Sequence, residues 1–311
     1  MDSNYSGSNG INPELRDAIR RKKRWMLAVV AVGLIGTLFL FTGCVANLEN
    51  DSPEETSDSA SGDLPIFDTH VHYKEAAWSL YSPGEVIELF QRSGVTSALV
   101  SSSPDDGTRM LYAEDPDIVV PFLRPYHDTV TSSNWYSQDT ILHYLEDRLE
   151  THVYEGIGEF HIHNPYDVDS QVIQATIQMA LRDDMYIHVH ANHEAIEEIF
   201  ELEPDIKILW AHAGMSDPPE VVADMFDRYE DLWVDISIRE SEIAPNGQLD
   251  AGWEALFLQH PDRITIGSDT WVNARWEQYE SIISFDRGWL RQLPEEVARK
   301  IAYENAERLF R

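Results

Sequence analysis

From residue 64 onward, short apolar runs alternate with stretches in which apolar residues return every three or four positions. The runs cover 65–72, 96–101, 118–123, 156–161, 185–190, 206–212, 232–237 and 264–269. They are mostly continuous rather than alternating, the pattern of parallel strands covered by helices. Between them, Ile173, Ile177, Ala180 and Leu181 follow the spacing i, i+4, i+7, i+8. Ile196, Ile199 and Phe200 follow i, i+3, i+4, and Ile141, Leu142, Leu145 and Leu149 mark another helix face. From Asp68 to Ile266, seven intervals take 198 residues, roughly 28 per strand–helix unit. Eight such units in ~250 residues predict an α/β fold, a (β/α)8 barrel of the TIM type. A doubly wound open sheet is the runner-up. No GxGxxG follows the first strand, so dinucleotide binding has no support.

The pattern before residue 64 is different. An unbroken apolar stretch runs from 26 to 43, directly after Arg20-Arg21-Lys22-Lys23-Arg24. Its length is about what a helix needs to cross a bilayer, ~17–25 residues. The flanking cations predict that the N-terminus stays inside and the rest lies outside. Cys44 follows Phe41-Thr42-Gly43; small residues before a cysteine at the end of an apolar run resemble a prokaryotic lipobox, with Cys44 as the lipidation site. A lipoprotein anchor is preferred over an uncleaved helix. Residues 1–44 are thus expected to anchor the chain to a membrane, 45–63 to form a flexible acidic linker, and 64–311 to form the barrel on the extracytoplasmic face.

Charge sharpens this division. The chain of 311 residues has 23 basic and 55 acidic residues, a net charge of −32. The first 44 residues hold 6 of the basic and 3 of the acidic ones, which leaves 17 and 52, a net of −35, for the rest. Such a body repels polyanions, so nucleic acid is excluded as a partner. A surface so dense in carboxylates also suits high salt. The single cysteine excludes an intrachain disulfide and a cysteine-based zinc site.

Candidate chemistry collects where strands end. The first reads Asp68-Thr69-His70-Val71-His72; residues two apart share a face, so His70 and His72 can both face the interior, with Asp68 below them. Two imidazoles placed so can share a metal ion. Other strand ends carry Glu159 and His161, His188 and His190, His212, and Asp269. Barrel enzymes place their active sites at the C-terminal ends of the strands, and imidazole with carboxylate is an ordinary donor set for divalent ions. Packing alone does not explain so many polar groups, each costly to bury without a partner. Arg124 and Arg239, after strands three and seven, are candidates for binding a substrate carboxylate, and His161 for contacting substrate.

These residues resemble the amidohydrolase superfamily, in its amidohydrolase-related branch with the aminocarboxymuconate-semialdehyde decarboxylase-like enzymes. The family pattern of HxH, two further histidines and an aspartate is matched by His70, His72, His190, His212 and Asp269. The segment from Leu293 to Phe310, including Asn305, is similar to the closing helix of this branch. The resemblance implies one divalent ion, Zn²⁺ by preference, held by His70, His72, His190 and Asp269. Glu159, which resembles the strand-four glutamate of TatD-type members, leaves room for a second ion. Asp269 would move the proton of a metal-activated water. His212 would bind the metal or, as the resemblance favours, hold the water and polarise the substrate.

The expected function is a metal-dependent hydrolase of a C–O or C–N bond in a small-molecule lactone, ester or amide. A non-oxidative decarboxylase of an unsaturated or aromatic acid on the same site is the alternative, and a membrane-tethered binding protein the third reading. A homo-oligomer is compatible with the sequence.

Overall fold

A computed structural model describes residues 64–311 of the chain. The expected anchor (1–44, with Cys44) and the expected acidic linker (45–63) lie outside the described residues. Among the described residues no helix is long and apolar enough to cross a membrane.

Eight parallel strands follow one another in sequence order: β1 (Ile66–Val71), β2 (Val95–Val100), β3 (Val119–Leu123), β4 (Gly156–His161), β5 (Tyr186–His190), β6 (Lys207–Trp210), β7 (Leu232–Asp235) and β8 (Ile264–Thr265). A bridge between Asp68 and Ile266, with Thr69 N–H donating to the Ile266 carbonyl at 2.9 Å, brings β8 back to β1. The (β/α)8 barrel is therefore present, and the open sheet is not. A helix follows each strand: α1 (Pro83–Arg92), α2 (Asp106–Glu114), α3 (Thr140–Leu149), α4 (Gln171–Arg182), α5 (His193–Leu202), α6 (Pro219–Arg228), α7 (Ala251–Gln259) and α8 (Tyr279–Leu290).

The helices begin where local chemistry starts them. Ser82 and Glu85 form a reciprocal capping box at α1, and Asn192 accepts from Ala195 N–H at the start of α5. The stripes read from sequence are the buried ones: Ile173, Ile177 and Ala180 on α4, Ile196, Ile199 and Phe200 on α5, Ile141, Leu145 and Leu149 on α3.

The barrel floor is a separate apolar plug of Phe67, Leu99, Val120, Phe122, Leu209 and Phe310. Phe310 comes from the last helix (Asn305–Phe310), and its ring lies 5.6 Å from Phe122 and 5.0 Å from Tyr186. Asn305 is fully buried and donates to the carbonyls of Pro261 (2.7 Å) and Ile264 (2.8 Å), tying the closing segment to the entry of β8.

Candidate metal centre

The β1–β2 register shifts between Asp68 and Val71, so strict alternation breaks inside β1. Asp68 does not sit beneath the histidine pair as expected. Its carboxylate accepts from the backbone of His70 and Ser268 and from the Tyr279 hydroxyl at 2.8 Å, toward α8. His70 and His72 do converge, with their Nε2 atoms 3.0 Å apart.

The far side of each ring explains what this approach requires. His72 Nδ1 donates to the Ser101 carbonyl, which can only accept. His70 Nδ1 donates to the Asp235 carboxylate at 3.1 Å. Burial works to raise Asp235, but the His70 imidazole and the bonds from His188 and His70 hold it well below the usual carboxylate range. With both Nδ1 protons committed, two neutral rings would face each other through bare Nε2 lone pairs, an arrangement relieved by a proton on one ring or by a cation shared between them. Burial, then the Arg124 guanidinium, holds His72 well below its ordinary value. Burial also acts to lower His70, but Asp235, Asp269 and Glu159 outweigh it and hold that ring well above.

Asp269 Oδ1 completes a triangle, 3.6 Å from His70 Nε2 and 3.3 Å from His72 Nε2. It is buried and has no hydrogen-bond partner. Burying an unpaired carboxylate oxygen costs several kcal/mol unless a cation meets it. Ligands about 2.0–2.2 Å from a shared ion lie roughly 3–3.6 Å from one another, as these three do. His70, His72 and Asp269 thus form a group of donors that could hold a divalent ion.

Glu159 Oε2 joins them at 3.2 Å from His72 Nε2 and 3.7 Å from His70 Nε2. Its Oε1 accepts from His190 Nδ1 at 2.9 Å and lies 3.4 Å from His212 Nε2. Burial opposes ionisation of Glu159, but Arg124, His70 and the bond from His190 hold it well below its ordinary value. The structure groups His190 with Glu159 and His161 rather than directly with His70, His72 and Asp269. It reaches the first group through Glu159, and its ring stacks on His161 at 4.2 Å. Burial, with His190, Arg124 and His163 behind it, pushes His161 down to about 2 against the pull of Glu159, so this ring is neutral.

His212 and Asp269 both hold left-handed backbone, with φ of 57° and 44°. Such strain in residues other than glycine costs about 1–3 kcal/mol each and gathers at functional sites. His212 Nδ1 faces the Ser237 carbonyl at 3.1 Å and its hydroxyl at 2.9 Å, which aims Nε2 between Glu159 Oε1 and Asp269 Oδ2.

A cavity of about 930 Å³ opens over these groups; Arg124, Glu159, His161, His190, His212 and Asp269 line it. Arg124 donates Nε to the Glu159 carbonyl at 3.0 Å and Nη2 to Glu159 Oε2, while its buried Nη1 has no partner. Arg239 stands elsewhere. All its donors are taken: Nη1 by the His212 and Ala213 carbonyls (3.2 Å each), Nη2 by Asp217 O (3.0 Å) and Glu242, Nε by Glu242. It stacks on Trp253 and does not line the cavity. Its place is to hold the strained turn that carries His212, not to meet substrate.

Sequence reasoning missed Asp235, Ser237 and Lys74. Asp235-Ile236-Ser237 ends β7 with the period of two that marked His70 and His72, a signal that was there to read. His188 also leans on Asp235, its Nε2 2.9 Å from Oδ2; burial and the neighbouring His70 push it down to about 4. Lys74 follows His72 by two residues and lines the cavity.

Such donors at the C-terminal ends of barrel strands are the arrangement of a metal-dependent enzyme. The amidohydrolase family model matches residues 159–311, the stretch carrying β4 to β8. Over that stretch the chain matches the amidohydrolase-related branch of the amidohydrolase superfamily. Solved structures share the fold. A probable 2-pyrone-4,6-dicarboxylic acid hydrolase from Acinetobacter baumannii with citric acid bound is 13% identical, covering 79% of this chain and 98% of its own, with a TM-score of 0.55. A 5-carboxyvanillate decarboxylase from Novosphingobium aromaticivorans, complexed with manganese and 4-hydroxy-3-methoxy-5-nitrobenzoic acid, is 12% identical over 79% and 96%, with a TM-score of 0.52. An Agrobacterium tumefaciens protein is 16% identical over 79% and 93%, with a TM-score of 0.53. No curated protein matches the chain.

Proposed function

We propose that the protein is a metal-dependent hydrolase that adds water across a C–O or C–N bond of a small lactone, ester or amide. The observation that carries this reading is the buried, partnerless Asp269 Oδ1 facing the paired Nε2 atoms of His70 and His72 at the mouth of the barrel. His70, His72 and Asp269 would hold the ion, with Glu159 Oε2 beside them and His190 reaching in through Glu159. Imidazole and carboxylate suit Zn²⁺ and Mn²⁺ alike; Zn²⁺ is our first choice. Glu159, His161 and His190 offer a second set of donors, with Glu159 shared between the two sets.

The ion, when bound, supplies a Lewis acid and lowers the pKa of water from 15.7 towards about 7. The chain's own residues do the rest. Asp269 is placed to accept the proton of the attacking water and return it to the leaving group. His212 lies 4.0 Å from Asp269 Oδ2, where it can orient that water or polarise the substrate carbonyl. Burial acts to lower His212, but the bond to Glu159 and the nearby carboxylates raise it, which favours donation. The open Nη1 of Arg124 suits a carboxylate on the substrate.

Decarboxylation of an aromatic or unsaturated acid is the second reading. Arg124 favours it as well, and a decarboxylase is among the structural neighbours. Membrane tethering through residues 1–44, by a lipid on Cys44 or by a helix, and an extracytoplasmic location complete the proposal.

Metal analysis of the full-length protein tests it. Wild type should carry one divalent ion per chain, or two if the second set fills. His70→Ala should lose it. Asp269→Asn should lower turnover by orders of magnitude on any lactone or ester found active. A wild type that binds no divalent ion would overturn the reading. Release of carbon dioxide without consumption of water would transfer it to the lyase.

A further inference from the structure

A second cavity, of about 400 Å³, opens at the other end of the barrel, where the chain enters β1 and β2. Its wall is built from the carbonyl ends of α1 and α8. Arg92 closes α1, Arg287 lies in the last turn of α8, and Arg291 follows that helix directly. One cation at the end of each helix answers the helix dipole; three around one cavity are more than the dipoles require. The body of this protein has 52 acidic and 17 basic residues. In this wall the balance is inverted, with three arginines and one carboxylate, Glu280.

The three cations are held differently. Arg287 is buried, its Nε donating to the Leu64 carbonyl at 2.8 Å and its Nη2 to the Gly94 carbonyl at 3.1 Å. Gly94 admits it: with φ of 68° there, a Cβ would lie 2.5 Å from Nη2. Both of these acceptors are neutral, so the two bonds fix the guanidinium without cancelling its charge. Arg92 donates Nε to Glu280 at 3.2 Å, an exposed pair of little worth in water that an incoming anion can displace. Arg287 and Arg291 have further contacts of their own, so the cavity concentrates positive charge rather than holding bare cations. Between the arginines, Ser93 is only 7% exposed and its hydroxyl has no partner. No apolar side chain lines the cavity. The ligand that suits such a wall is small and anionic and offers several acceptor oxygens to guanidinium forks, which is the chemistry of phosphate.

We propose that this cavity binds a phosphate group, as inorganic phosphate or on a small phosphomonoester, and so ties α1 to α8 across the entry to β1 and β2. The site stands apart from the candidate metal centre and does not depend on the reaction carried out there. A ligand that binds only the folded chain raises its stability, and here it would do so by neutralising a local excess of like charge.

Phosphate can also meet a bound metal ion, so calorimetry is run on the full-length protein before and after chelation, with folding checked by circular dichroism. Wild type should bind inorganic phosphate with a Kd on the order of 1 mM in both samples. Its thermal midpoint should be higher in phosphate than in chloride of equal ionic strength. Arg92→Gln and Arg291→Gln change exposed positions and should each weaken binding about tenfold. Arg308→Gln removes an exposed arginine outside the cavity and should bind as wild type does. Glycerol 3-phosphate and glycerophosphoglycerol, the soluble head group of a phospholipid, separate the two sources of the ligand. Tighter binding of the first, lost in Arg291→Gln, assigns a free phosphomonoester; tighter binding of the second, lost in the same variant, assigns a lipid head group to the same site. No binding and no thermal shift in millimolar phosphate would overturn the inference. So would binding that vanishes on chelation, or Arg92→Gln and Arg291→Gln variants within twofold of Arg308→Gln.

Discussion

At the scale of single residues, the centre depends on groups that never touch the ion. Asp235 fixes His70 from behind and takes His188 as well. Replacing it by Asn keeps the shape but removes the charge that orients the imidazole. Asp235→Asn should weaken metal affinity by roughly 10–100-fold; unchanged affinity in a metal titration would show that Asp235 does not orient His70. A second buried carboxyl, Asp286 on α8, lies away from the centre. Burial pushes it from 3.8 up to about 8, opposed in part by the Trp289 N–H, which donates to it at 3.1 Å. The folded state therefore holds this proton more tightly than the unfolded chain. Its contribution to stability is greatest below about pH 4 and is lost as pH rises towards 8. Asp286→Asn should gain on wild type in urea midpoint at pH 8 relative to pH 5. A difference that is the same at both pH values would contradict this account.

At the scale of elements, the decisive contacts are between β1 and β8. They lie 198 residues apart in sequence, yet Asp269 N–H donates to the His70 carbonyl at 2.7 Å and His72 N–H to Thr270 Oγ1 at 2.9 Å. Gly267 makes that approach possible. A Cβ there would lie 2.6 Å from His70 Cβ and 3.0 Å from its nitrogen. Gly267→Ala should push β8 from β1, cost about 1–3 kcal/mol of stability, and lower metal affinity along with it. Thermal unfolding and metal titration of the one variant would check both; full retention of both would show that β1 yields without moving His70. Strand and helix positions were legible because their periodicities are local. The interruption inside β1 was not, since it depends on pairing with β2, and so Asp68 was placed on the wrong side.

At the scale of the whole molecule, the distribution of charge is the dominant fact. A body with a net charge of −35 repels itself, and salt screens that repulsion over about 10 Å at 0.1 M and 3 Å at 1 M. The protein should therefore unfold at a higher temperature in molar potassium chloride than in 0.1 M. An unchanged midpoint would refute adaptation to salt. Against this acidic background the few inward-facing cations stand out. Arg124 lines the cavity as expected, but Arg239 does not, because its donors serve the turn after β6. An arginine after a strand end reads the same in sequence whichever way it turns.

The order of runs and stripes along the chain determined the barrel, since each strand and helix face follows from spacing within a dozen residues. The same spacing named most of the centre, because His70, His72, Glu159, His190, His212 and Asp269 all stand where strands end. Only the tertiary structure decided how these groups are shared: Asp235 behind His70, Glu159 between two sets of donors, His190 one step from the first. Those relations are distances of about 3–4 Å between residues scores of positions apart. They are set by barrel closure and strand stagger, which no local pattern encodes.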